Sequence, residues 1–105
     1  MENIWHVVLI SFKPGTSEKT RQNIYSRLQT LAEDCGGKSA GILFWKVEFN
    51  LFPQRNVHLV EIAVFENNDV LQAFRLHPRH KEITDILSKV ADDWKVGDIY
   101  HPFSD

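Results

Sequence analysis

The sequence predicts an α+β domain in which a four-stranded antiparallel sheet carries its helices on one face. Three observations lead there: the order of strand-like and helix-like segments, the glycine and proline signals between them, and two strand segments apolar on both faces. At 105 residues the chain suits one domain, residues 1–105, with one core.

Taken in order, Ile4 to Phe12 (IWHVVLISF) is rich in β-branched and aromatic types and ends at Lys13-Pro14-Gly15, which predicts a strand. Ile4, His6, Val8, Ile10 and Phe12 share one parity; Trp5, Val7, Leu9 and Ser11 share the other. Both sets are largely apolar, so the strand is expected to be central. Thr16 or Ser17 caps a helix running to about Asp34, with Ile24, Leu28, Leu31 and Ala32 as its buried stripe and Gly36-Gly37 as its stop.

Ile42 to Asn50 alternates and predicts a half-buried edge strand. Val57 to Phe65 predicts the third strand, with His58, Val60, Ile62 and Val64 expected on the helix-covered face and Leu59, Glu61, Ala63 and Phe65 on the other. Asn67 to Asp69 cap a short helix built on Val70, Leu71 and Phe74, which Pro78 interrupts. A further helix reaches about Ala91. Trp94 to Tyr100 predicts a fourth strand, broken by Gly97, and the tail from His101 is expected to be extended. The order strand–helix–strand–strand–helix pair–strand is that of a ferredoxin-like βαββαβ sandwich. Helices cover only one face of such a sheet. Trp5, Val7, Leu9, Leu59, Ala63 and Phe65 would then form an exposed apolar patch, and a two-fold-related copy is its economical cover. A homodimer is expected.

Composition excludes several classes. Lys+Arg 12 against Asp+Glu 14, with signs interspersed, offers no basic face for nucleic acid. No apolar run approaches the roughly 20 residues of a membrane helix, so no membrane partner is expected. The single Cys35 cannot form an internal disulfide and suits a reducing, cytoplasmic setting. It is read as a structural thiol. No Gly-rich phosphate loop, Gly-x-Ser-x-Gly or His-Glu-x-x-His pattern occurs, and the His-x-x-His spacing lacks zinc-finger partners; no cofactor and no metal are expected.

Candidate chemistry lies in the histidines. His58, His77 and His80 fall between Val57 and His80, and His6 sits in the first strand. An imidazole inside a strand is either a satisfied core residue or a cavity wall. His80, in the first turn after Pro78, is held neutral by the positive helix end, as a general base should be. His6 and His58 are expected at opposite ends of the sheet, so His58 with His80 or His77 is the expected cluster. Glu61 is expected at the dimer side, paired or at a rim.

The segments HVVLISFKPG, VHLVEIAVFEN, HPRH and WKVGDIY resemble the stress-responsive dimeric α/β-barrel (Dabb) family over nearly the whole chain. The resemblance implies two ferredoxin-like protomers whose sheets close a barrel. A plant polyketide cyclase of that family implies His80 as acid/base residue, with His6, His58 and His77 as its companions. The cyclase tyrosine six residues earlier is replaced here by Phe74, so the same cyclisation is not implied.

The expectation is therefore a homodimer binding a small apolar or aromatic molecule between sheet and helices. Catalytic roles fall to His80 and His58, and the ligand is lined by His6, Val8, Val60, Ile62, Phe74 and His77. As an enzyme it would be cyclase- or lyase-like, cofactor-free and driven by histidine acid/base chemistry. The alternative is a non-catalytic stress-response or interaction protein whose histidines complete the packing.

Overall fold

Strand β1 (Asn3–Phe12) is the middle of the sheet, and the other elements are placed by it. The computed structural model describes residues 2–104. After β1 come α1 (Glu18–Asp34), β2 (Ile42–Phe49), β3 (Leu59–Phe65), α2 (Asn68–Leu76), α3 (Pro78–Val90) and β4 (Ala91–His101). The sheet order is β2-β3-β1-β4, with every neighbouring pair antiparallel. This is the ferredoxin-like arrangement, with β2 at an edge as its alternation predicts.

Local chemistry sets the helix ends. The Ser17 side chain accepts from the Thr20 amide at 3.1 Å and starts α1, whose stripe Ile24, Leu28, Leu31 and Ala32 is buried. Burying each such Leu or Ile contributes roughly 1.5–3 kcal/mol. Gly36, at φ 107°, takes the left-handed conformation just beyond Cys35 and ends the helix. Asn67 caps α2 by accepting from the Val70 amide at 3.0 Å. His77 stands between α2 and α3 in extended conformation, as a residue before proline must, and its ring accepts from the Arg79 amide at 3.1 Å. The helices pack on the face carrying Ile4, Val8, Ile10, Leu59, Ala63 and Phe65, which are all buried.

That face corrects the parity expected for β3. Register pairs Ile10 with Leu59, Val8 with Glu61, His6 with Ala63 and Ile4 with Phe65, so Glu61 points under the helices. Val60 and Ile62 pair with Leu9 and Val7 on the open face and line no cavity beneath the helices. Both parities of β3 are apolar, and the charged residue marks the inner one. The open patch is thus built from Trp5, Val7, Leu9, Val60 and Ile62, with Phe44 and Ile99 exposed beside them. One end of it is covered by the tail. Phe103 packs edge-on to Trp5 at 5.7 Å and beside Phe44 at 5.8 Å, and the Trp5 indole donates to the His101 carbonyl.

Strand β4 is longer than Trp94–Tyr100 and is not broken at Gly97, which pairs with Val7. The ladder to β1 carries the strand through the glycine. Among the described residues no helix is long and apolar enough to cross a membrane.

Candidate functional site

His6 lies in the first half of β1, toward the end where β3 finishes, and is buried, with only 5% of its surface exposed. Such a ring needs partners, and the register supplies them. Asp98 is directly opposite His6 on β4, and Glu61 sits diagonally on β3, opposite Val8. His6 Nδ1 is 2.6 Å from Asp98 Oδ1, and His6 Nε2 is 3.6 Å from Glu61 Oε2. With Asp98 ionised, Nδ1 is the protonated nitrogen and donates a short, charge-assisted bond. Nε2 is left without a hydrogen bond, since 3.6 Å exceeds hydrogen-bond length.

Glu61 is as buried as His6, and burial pushes its carboxyl up to about 8. It is therefore predominantly a protonated acid at neutral pH. Two carboxyl groups flank one imidazole in different surroundings: Asp98 reaches solvent and Glu61 does not.

His80 comes to the same place from α3, two residues after the Pro78 that begins the helix. Its ring stands edge-on to Phe74, with centroids 4.7 Å apart. Burial lowers its pKa below the usual imidazole value, against an upward pull from the Arg75 backbone; the charges of His6 and Arg75 lower it further. His80 is neutral near pH 7 and able to accept a proton.

These groups line a cavity of about 90 Å³ under the helices. His6, Glu61, His80 and Arg75 are among its polar walls; Val8, Ile10, Leu28, Leu31, Leu87 and Trp94 are among the apolar ones. The volume equals that of about three liquid waters. Arg75 also lines a neighbouring groove of about 250 Å³ between α2 and β4. Among the described residues, no group of three His, Cys, Asp or Glu side chains is arranged to hold a metal ion.

The histidines divide differently from the expectation. His80 joins His6, not His58. Antiparallel pairing puts the end of β3 beside the start of β1, and α2 leaves from there, so the turn after it returns over His6. His58 lies just before β3 at the other end. Its Nδ1 accepts from the Phe12 amide at 2.9 Å, and its pKa is lowered by burial and by the charge of Arg21. It adjoins a surface depression with Arg21, Phe49 and Asn50. His77 borders a separate cavity of about 70 Å³ with Cys35 and Phe74. Phe74 is buried behind His80, against Phe65 and Trp45.

Asp98, Glu61 and Arg75 are the functional candidates that sequence reasoning missed. Asp98 had a signal, as the polar member of the parity Trp94, Val96, Asp98, Tyr100. Glu61 had the same one, interrupting Leu59, Ala63 and Phe65. Arg75 had none.

Fold and site together define a ferredoxin-like α+β domain with a histidine–carboxyl cavity beneath its helices. The sequence profile of the stress responsive A/B barrel domain, Dabb, matches residues 4–101, and the chain belongs to that family. No curated protein matches the sequence significantly. Several solved structures share the fold. A dimeric ferredoxin-like protein of unknown function from Bacteroides fragilis is 18% identical, with TM-score 0.79 over 94% of this chain and 96% of that one. A dimeric ferredoxin-like protein of unknown function from Thermobifida fusca is 15% identical, with TM-score 0.81 over 93% and 90%. A hydroxynitrile lyase from Passiflora edulis is 16% identical, with TM-score 0.81 over 98% and 96%.

Proposed function

We propose that the protein is a homodimer whose sheets face each other as a barrel, and that each protomer is a cofactor-free acid–base catalyst of lyase type. Its substrates would be small hydroxylated carbonyl or nitrile compounds. The observation that carries this reading is His6 held at 2.6 Å by Asp98 with its other nitrogen aimed at the buried acid Glu61, in a cavity shared with His80.

In the cleavage direction, His80 takes the proton from the substrate hydroxyl as the carbonyl forms. The adjacent carbon–carbon bond breaks, and its electron pair leaves with the carbon acid. Glu61 gives that fragment its proton. His6 then carries the proton from His80 back to Glu61, with Asp98 stabilising the imidazolium in transit. Protons balance and no redox partner is needed. The cavity volume favours small substrates over a polyketide chain. A hydroxynitrile lyase on the same fold makes the reaction class a reasonable probe, by analogy of fold. The alternative, a non-catalytic family member, draws on His58 and His77, both committed to backbone amides.

The test is aldehyde or ketone release from a panel of small cyanohydrins and β-hydroxy ketones. Wild type is expected to release product, and His80→Ala to lose about 10²–10⁴-fold. No release from any probe, with no deuterium exchange into small ketones, would end the reading. For the dimer, the apolar open face is the support. Sedimentation should give twice the protomer mass, and Ile62→Asp at the centre of that face should give monomers.

A further inference from the structure

We infer that Arg75 is the specificity-determining residue of this site and selects a carboxylate-bearing substrate, whose body lies in the groove between α2 and β4. The inference rests on the lyase reading for where the reacting end sits, but recognition by Arg75 is tested separately from catalysis.

Size is the first argument. The inner cavity, at about 90 Å³, takes only the reacting end of a molecule. The groove beside it, at about 250 Å³, matches an arylalkyl body. Arg75 belongs to the wall of both spaces and is the residue that groove and cavity share.

Charge is the second. Among the described residues Arg75 makes no ion pair, whereas Arg79 on α3 pairs with Glu82 at 3.4 Å. A guanidinium presents a planar fork of donors that matches a carboxylate. Asp98, the acidic residue of the groove, is turned toward His6, with Oδ1 2.6 Å from the ring Nδ1. On the α2 side the Gln72 amide donates to Asn68 Oδ1 at 3.2 Å, which leaves the Asn68 NH₂ as a further donor. Ile4 and Leu71 give the groove a buried apolar floor, and Tyr100 is an exposed aromatic wall. Donors at one end and apolar surface along the length suit an aryl or branched-alkyl carboxylate.

The experiment measures binding of 3-phenylpropionate and its methyl ester by calorimetry, to wild type, Arg75→Gln, Arg75→Lys and His80→Ala. Wild type is expected to bind the acid at least tenfold more tightly than the ester. Arg75→Gln should erase that preference, and Arg75→Lys, which keeps the charge, should retain part of it. His80→Ala should keep it in full. Absence of binding, equal affinity for acid and ester, or a preference that survives Arg75→Gln would overturn the assignment. A retained preference without any turnover of hydroxy acids would overturn the lyase reading alone.

Discussion

The two ends of the sandwich each place a histidine against β1 and use it for opposite purposes. At one end His58 spends a ring nitrogen on the Phe12 amide, a donor that the ladder leaves over where β3 begins. At the other, His6 is fixed through Nδ1 by Asp98, and its second nitrogen is left facing a buried acid and a cavity. Both rings have hydrogen-bond partners. The difference is that one satisfies the backbone, while the other is oriented by a carboxylate with its working atom left over. Imidazoles become candidates for chemistry through what they leave unbonded, more than through burial or neighbours.

Removing the ring at each end is the strongest test of that contrast. His6→Ala is expected to cost about 10²–10⁴-fold in turnover of any substrate found, because it removes both the proton carrier and the group facing Glu61. His58→Ala should leave turnover unchanged and lower stability by about 1–3 kcal/mol in urea unfolding, through the orphaned Phe12 amide. Comparable losses of turnover in both variants would dissolve the distinction.

Glu61 sharpens it through pH. Its folded pKa of about 8 lies above the unfolded value of 4.5, so the native state holds a proton that the unfolded chain releases between those values. Stability should fall as pH rises through that window, by up to about 1.4 kcal/mol per pH unit. Glu61→Gln removes this contribution and should be a few kcal/mol more stable than wild type at pH 8. Parallel unfolding curves at pH 5 and pH 8 for the two proteins would contradict the buried-acid assignment.

His80 gives a smaller effect of the opposite sense. Its lowered pKa means the unfolded chain takes up its proton first as pH falls below 6.5, so this contribution to stability is lost on acidification. The acid limb of turnover should lie below pH 6.5, which imidazole NMR titration of the free protein can check. The mildest change is Phe74→Tyr. It sets a hydroxyl among Phe65, Trp45 and the His80 ring, and should cost about 1 kcal/mol of stability unless the hydroxyl finds a partner.

The element order, the α1 stripe, the α2–α3 break at Pro78 and the central place of β1 were legible because each follows from local pattern. The inner face of β3 was not. With Leu59, Ala63 and Phe65 on one parity and Val60, Ile62 and Val64 on the other, hydrophobicity does not choose, and the usual rule that charge faces outward chose wrongly. Glu61 breaks that rule where the site is. His80 and His6 could be nominated singly, but their meeting depends on where the crossover after β3 lands. Asp98 could not be tied to His6, because strand register between distant segments leaves no mark in either one.

The bond from His6 to Asp98 joins residues far apart in the chain, across the β1–β4 ladder. Such a contact requires a long loop to close before it returns any free energy. The carboxylate that orients the His6 ring is supplied only where β4 is paired with β1, so the geometry of this cavity depends on the last strand of the chain as much as on the first.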